Sequence, residues 1–137
     1  MVLKGGQGND TIYAGGFDSD SSNDYHEIEY LAGDASIYLY GDEGHDKLFG
    51  ADDVPHQYFF GGEGDDFIQG GYQSSDGDEG LFYVNGGAGD DIIKPYLDYH
   101  ESGIEQIIRG GKGNDKINVY EGSDLYDSDG VIDGTVY

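Results

Sequence analysis

The sequence is poor in several kinds of residue, and each shortage excludes a class of protein. It has no cysteine, so neither a disulfide framework nor a thiolate metal site can form. It has only 6 lysines and arginines against 29 acidic residues, which excludes the basic surface that nucleic acids and anionic membranes require. With only 2 prolines it is no proline-rich linker, and no apolar run reaches the length of a membrane span. We therefore expect no nucleic-acid partner and no membrane insertion.

Glycine and acidic residues are what the sequence has in excess. There are 26 glycines in 137 residues, and the formal net charge is −23. Like charge at this density opposes a compact state unless cations neutralise it. The acids do not form blocks but stand at constant offsets from glycines. That spacing favours metal ligation over a solvated acidic tail.

A nine-residue pattern, G-G-x-G-x-D-x-U-x with U a large aliphatic residue, occurs five times. Only the second copy departs at a glycine, where Asp42 stands. One apolar column lies two residues before each copy and another lies at the U position. The copies begin at Gly5, Gly41, Gly61, Gly86 and Gly110. The first column is Leu3, Leu39, Phe59, Val84 and Ile108, and the second is Ile12, Leu48, Ile68, Ile93 and Ile117.

The five copies resemble the calcium-binding repeats of RTX proteins, and the resemblance covers nearly the whole chain. In that family two nonapeptides form one coil of about 18 residues in a solenoid. The copies start 20 to 36 residues apart, so each interval holds one coil and an excursion; the 36-residue interval would also fit two plain coils, although no second copy of the pattern occurs within it. The resemblance therefore implies an all-β, right-handed parallel β-roll, or β-solenoid, of about five coils over residues 1–137. Its calcium-binding turns would stack on one edge, with irregular loops on the other.

The two apolar columns agree with such a fold, because alternate residues of a strand face one side and stacked coils bury them as ladders. A rival interpretation makes each motif a β-hairpin turn, although a hairpin needs neither the third glycine nor the fixed aspartate. Strands are predicted before the turns at Ser36–Tyr40, Gln57–Phe60, Leu81–Asn85 and Gln106–Arg109. After the turns they are predicted at Thr11–Tyr13, Lys47–Phe49, Phe67–Gln69, Ile92–Lys94 and Lys116–Tyr120.

The resemblance also implies a set of calcium ligands, since calcium takes about six to eight oxygen ligands from carboxylates and carbonyls. Asp42 either weakens its site or adds a carboxylate ligand. Five turns enclose four gaps, so about four calcium ions are implied. The bridging carboxylates would be Asp10, Asp46, Asp66, Asp91 and Asp115. Carbonyl ligands would come from Gly6, Gly8, Glu43, Gly44, Gly62, Gly64, Gly87, Gly89, Gly111 and Gly113.

The loops between the copies offer weaker candidates. Tyr25–Leu31 is long enough for one helical turn only. The four histidines stand at no zinc-ligand spacing, and the paired aspartates of the turns are explained by the motif. No catalytic residue is predicted, and we do not expect an enzyme. Two acidic groups either hold further ions or form solvated loops: Asp18, Asp20 and Asp24, and Asp76, Asp78 and Glu79.

A column of large residues three positions before each copy should face away from the ladders. Its aromatic members are Tyr38, Tyr58 and Tyr83. An exposed stripe of this kind marks a contact surface, unless the far-edge loops fold back over it.

The sequence predicts a module that folds on binding extracellular calcium and belongs to a secreted toxin, adhesin or surface protein. The alternative is a self-assembling subunit of an extracellular filament, surface layer or matrix, associating end to end or laterally. Met1 to Gly5 enter the first repeat at once, without a signal-peptide pattern. We therefore expect either export without a cleaved signal or a fragment of a larger secreted protein.

Overall fold

A computed structural model describes residues 1–15, 36–52, 54–71, 80–95, 104–118, 131–133 and 135–136. All the regular structure in these ranges is β-strand. None of the described residues belongs to a helix that is long and apolar enough to cross a membrane. The helical turn and the two acidic loop groups considered above lie outside the described residues.

The strands form two six-stranded sheets, and each coil supplies one strand to each sheet. Neighbouring strands in both sheets are parallel. The first sheet contains, in spatial order, β1 (Val2–Gln7), β3 (Ser36–Glu43), β5 (His56–Glu63), β7 (Gly80–Ala88), β9 (Ile104–Lys112) and β11 (Val131–Asp133). The second contains β2 (Thr11–Tyr13), β4 (Lys47–Phe49), β6 (Phe67–Gln69), β8 (Ile92–Lys94), β10 (Lys116–Ile117) and β12 (Thr135–Val136).

This topology confirms the parallel β-roll and excludes the hairpin interpretation. The two strands that flank each motif turn lie in different sheets, whereas a hairpin would pair them with each other. Each strand pairs instead with the equivalent strand of the next coil.

The core contains the two predicted ladders and, in the first sheet, a further buried column of Ile37, Gln57 and Phe82. In the first sheet Leu39 pairs with Phe59 and Phe59 with Val84, and all three are fully buried. In the second sheet Leu48, Ile68 and Ile93 pair in the same way. The long strands β3, β5 and β7 thus bury two large side chains each, and the short strands that follow them bury one. Coils therefore depend on their neighbours for stability.

The long strands run further into the motif than the sequence indicates. The strand predicted to end at Phe60 continues to Glu63, because Gly62 pairs with Gly87 and Glu63 with Ala88. The first three motif residues therefore extend the first sheet. Conversely, β10 ends at Ile117, while the prediction for that strand continued to Tyr120.

A sixth, shorter rung follows the five predicted coils. Val131–Asp133 pairs with residues of β9, and Thr135–Val136 pairs with β10. Only one residue separates these two strands in the sequence. The rung carries no motif, and the repeat pattern therefore does not predict it.

Candidate metal centre

The turns owe their shape to two motif positions with positive φ. The second and fourth positions adopt this left-handed backbone in all five copies, which glycine tolerates without steric cost. Asp42 occupies the second position of its copy and has φ 74°, the one non-glycine residue with positive φ among those described. The other nine are Gly6, Gly8, Gly44, Gly62, Gly64, Gly87, Gly89, Gly111 and Gly113.

Carbonyl oxygens at these positions face the next turn along the stack. A Cβ added to Gly64 would collide with the carbonyl oxygen of Gly44, and one added to Gly62 would collide with that of Asp42. The same clash recurs at Gly89 and Gly113. None of the backbone hydrogen bonds of the described turns ends on a fourth-position oxygen. The fourth-position oxygens of Gly8, Gly44, Gly64 and Gly89 therefore face the next turn and accept none of these backbone bonds; calcium binding by the predicted carbonyl ligands stays a prediction.

The motif aspartates form a buried column at the same edge. Asp46, Asp66 and Asp91 are at most 2% exposed, and Asp115 is 6% exposed. None of them forms an ion pair within the described part of the chain. Burying an ionised carboxylate without a partner is costly, so this column requires a cation or a proton.

One oxygen of four of these carboxylates belongs to a hydrogen-bond ladder. The backbone N–H of each of the first four motif aspartates donates to Oδ1 of the aspartate in the next coil. The distances are 2.7 Å from Asp10 to Asp46, 2.8 Å from Asp46 to Asp66, 2.8 Å from Asp66 to Asp91 and 3.0 Å from Asp91 to Asp115. The sequence intervals of 20 to 36 residues thus bring all five aspartates into register.

The second carboxylate oxygen, Oδ2, has no hydrogen-bond partner in four of the five motif aspartates. Oδ2 of Asp10, Asp46, Asp66 and Asp91 is buried and accepts no hydrogen bond. In each coil Oδ2 lies beside the first glycine of its own motif, where a Cβ would collide with it. Anionic oxygens and free carbonyl oxygens are the donor set that calcium prefers. The residues present therefore fit the metal that the motif implies.

Burial also changes the acidity of the central carboxylates. Loss of solvent raises the pKa of Asp66 to about 6, and the charge of Asp46 adds to this. Loss of solvent raises the pKa of Asp91 to about 7, with the charges of Asp66 and Asp115 adding to it. The backbone N–H bonds to the two carboxylates act in the opposite direction. When no cation is present, these two groups therefore bind protons at a higher pH than ordinary aspartates do.

A second ladder occupies the fifth motif position, which the sequence pattern leaves unspecified. Here the backbone N–H donates to the side chain of the preceding coil. His45 N–H donates to Asn9 Oδ1 at 2.9 Å, and Asp65 N–H to His45 Nδ1 at 2.8 Å. Asp90 N–H donates to Asp65 Oδ1, and Asn114 N–H to Asp90 Oδ1, both at 2.8 Å. A column restricted to Asn, His and Asp was the available signal for this ladder.

Two of the predicted ligands in the second turn have further roles. The Glu43 carbonyl oxygen accepts the N–H of Gly8 at 2.8 Å, and its side chain accepts from Gln7 Nε2 at 3.2 Å. The Asp42 side chain is exposed, and its register partner in the first coil is Gly6. Whether either residue binds an ion stays a prediction.

The predicted contact surface lies on the outer face of the first sheet. The Tyr38 and Tyr58 rings stack at 4.5 Å with an interplanar angle of 5°, so each covers a face of the other. Tyr83 lies tilted beside Tyr58 at 6.3 Å, and the Arg109 guanidinium stands 5.8 Å from the Tyr83 ring centre. Rings that stack rung to rung stabilise the roll itself. A role in binding a partner stays a prediction.

A family model described as the RTX calcium-binding nonapeptide repeat (4 copies) matches residues 2–19, 38–54, 57–73, 83–94 and 106–134. These ranges make up more than half of the chain. The chain belongs to the RTX calcium-binding nonapeptide repeat family. No curated protein and no solved structure matches it significantly.

In an RTX roll the bound metal is Ca²⁺, which neutralises carboxylates that would otherwise repel one another. In this chain the aspartate column and the second- and fourth-position carbonyls are the groups that would hold it. The turns bring these oxygens together only when coils are stacked, so the site depends on the folded roll.

Proposed function

We propose that this chain is a non-enzymatic module of a secreted protein, a toxin, an adhesin or a surface protein, and that it folds when it meets extracellular calcium. The unpartnered, buried Oδ2 atoms of the aspartate column carry this proposal. They make the stacked state costly without a cation and favourable with one. About four ions would reduce the formal charge from −23 to about −15.

Calcium then acts as a switch between two states of the chain. At low calcium the acidic chain stays extended, because repulsion opposes the stacking of coils. At the millimolar calcium concentrations outside cells, even weak sites fill, and binding free energy becomes folding free energy. An extended chain suits export through a narrow channel, and folding follows outside.

Far-ultraviolet circular dichroism with calorimetry tests the proposal. Adding calcium to chelated protein should convert a coil spectrum to a β spectrum, and chelator should reverse the change. Calorimetry should count about four ions per chain. A β spectrum that persists in chelator at neutral pH would contradict the coupling of binding to folding.

A second candidate function is a subunit that assembles end to end. The outermost strands β1 and β2 pair on one side only in their sheets, and such edges template the addition of further strands. Sedimentation velocity in calcium tests this candidate. A monomer at high protein concentration would exclude a filament.

A further inference from the structure

Two hydrogen bonds to side chains, of opposite direction, join each pair of neighbouring motif turns, beside backbone bonds such as that from Gly64 N–H to the Ala88 carbonyl oxygen. In the aspartate ladder the N–H of one turn donates to the side chain of the next turn, as from Asp66 to Asp91. In the fifth-position ladder the N–H of the later turn donates back to the earlier one, as from Asp90 to Asp65. The first bond is buried and the second is exposed. Together with the backbone bonds, they hold two neighbouring turns at a constant spacing from both the buried and the exposed side.

The side chains of the fifth-position ladder are chemically matched to this task. Each accepting atom lies two bonds beyond Cβ, being Oδ1 in Asn9, Asp65 and Asp90 and Nδ1 in His45. Asn114 adds a second bond from its Nδ2 to Asp90 Oδ1 at 3.3 Å.

The location of Asp65 separates it from the predicted ion ligands. Its side chain is 60% exposed, whereas Asp66 beside it is 2% exposed. Its Oδ1 is occupied by the N–H of Asp90. The buried, unpartnered oxygens of the described turns all belong to the sixth-position column. The fifth-position side chains therefore link neighbouring turns by hydrogen bonds on the exposed side of the stack.

We propose that the fifth-position side chains, foremost Asp65 and Asp90, are positioning residues that hold neighbouring turns at the spacing of the calcium gaps without binding calcium themselves. This inference rests on the proposed calcium-dependent folding. It assigns a structural task to a position that the repeat pattern leaves open, and it separates the two neighbouring aspartates of the turns by role.

Two substitutions at Asp65 test the proposal, because they separate its charge from its hydrogen bond. Asp65→Asn removes the charge but keeps an Oδ1 acceptor, while Asp65→Ala removes both. Glu63→Ala is the matched control, since Glu63 is exposed on the same turn and its side chain takes no part in either ladder. All three variants lose one negative charge.

The Ala variant should stand apart from the other two. At the calcium concentration that half-folds the wild type, Asp65→Ala should lower the ratio of folded to unfolded chain by about tenfold. Asp65→Asn and Glu63→Ala should each stay within about twofold of the wild type. In saturating calcium, amide hydrogen exchange at Asp90 should be faster in Asp65→Ala alone, and calorimetry should count equal numbers of ions in all variants.

Several results would overturn the inference. Equal behaviour of the Asn and Ala variants would show that the hydrogen bond has no role. Loss of one bound ion in the Asn variant would make Asp65 a ligand. If Asp65→Ala does not fold at any calcium concentration, the comparison of Asp65→Asn with Glu63→Ala still decides. A clearly lower ratio of folded to unfolded chain in Asp65→Asn would contradict the positioning role. A wild type whose spectrum ignores calcium would contradict the proposed function instead.

Discussion

Asp42 is the residue at which this chain departs from its own repeat. Its φ of 74° places an L-residue where the other copies have glycine, and such a conformation costs about 1 kcal/mol for most residues. At this motif position an added Cβ meets the carbonyl oxygen of the preceding turn, as at Gly62 and Gly87. The structure thus shows a backbone cost at Asp42 and an exposed carboxylate beside the first gap.

Replacing Asp42 with glycine should separate the two interpretations that the sequence leaves open. If the backbone cost dominates, Asp42→Gly stabilises the calcium-loaded roll by about 1 kcal/mol. Thermal unfolding in saturating calcium measures this. A lower melting temperature together with one ion fewer per chain would instead make Asp42 a calcium ligand.

The central aspartates predict a pH dependence of the calcium-free chain. Burial is the main cause that raises the pKa of Asp91 to about 7 and the pKa of Asp66 to about 6, well above the ordinary value of an aspartate. Between about pH 4 and 7 the folded chain therefore binds more protons than the unfolded chain, and its stability falls as pH rises. We expect chelated protein to have more β structure at pH 5 than at pH 8.

An isosteric substitution checks this pH prediction. Asp91→Asn keeps an Oδ1 acceptor for the Asp66 N–H but carries no charge at any pH. In chelator at pH 8 this variant should be more folded than the wild type, and its β signal should depend less on pH. Circular dichroism across the pH range gives the answer. A β signal that grows with pH in the wild type would contradict the assignment.

At the scale of the element, the unit of this roll is a long strand, a turn and a short strand. A coil in the middle of the stack makes ladder bonds on both sides. Asp66 accepts from Asp46 and donates to Asp91, whereas Asp10 has only the bond to Asp46. The contribution of a turn therefore depends on its place in the stack, although the five motifs look alike.

Alanine substitutions of Asp66 and Asp10 should show this difference in place. Asp66→Ala should damage the ion sites on both sides of its turn, while Asp10→Ala should damage one. Isothermal titration calorimetry gives the number of ions bound by each variant. Equal stoichiometry in the two variants would refute the sharing of each aspartate between neighbouring gaps.

At the scale of the whole molecule, charge decides whether the stack forms. The core is narrow, with one or two buried side chains from each strand, and its buried apolar residues have to offset chain entropy and the repulsion of 29 acids. A cation in the gaps reduces that repulsion and cross-links coils at the same time.

Small-angle scattering should therefore detect a large change in size. For 137 residues a compact chain has a radius of gyration of about 14 Å and an unfolded one of about 38 Å. We expect values near the upper figure in chelator and a large decrease in calcium. Magnesium should not replace calcium, because it prefers six ligands in a strict octahedron and retains its waters. Compaction by magnesium at equal concentration would point to charge screening alone.

The sequence alone determined the stacked turns, because they follow from a pattern with a fixed period. The turn requires positive φ at two motif positions, and glycine stands there in nearly every copy. The aspartate follows at a constant offset from these glycines. An apolar residue such as Leu48 or Ile68 always stands two positions after the aspartate, on the inward face of its strand. Each of these features depends on residues close together in the sequence. The places of most strands, the two ladders and the edge that carries the aspartates could therefore be predicted from the sequence, although the exact ends of some strands could not.

Only the tertiary structure decided which groups meet across coils. The sixth rung has no motif, and it exists because β9 and β10 offer strand edges to Val131–Asp133 and Thr135–Val136. The fifth-position ladder joins residues 20 to 36 positions apart, so its partners and its direction appear only when the turns are superposed. Asp65 and Asp66 are neighbours in sequence, but stacking buries Asp66 as a candidate calcium ligand and leaves Asp65 exposed, where it hydrogen-bonds to the next turn.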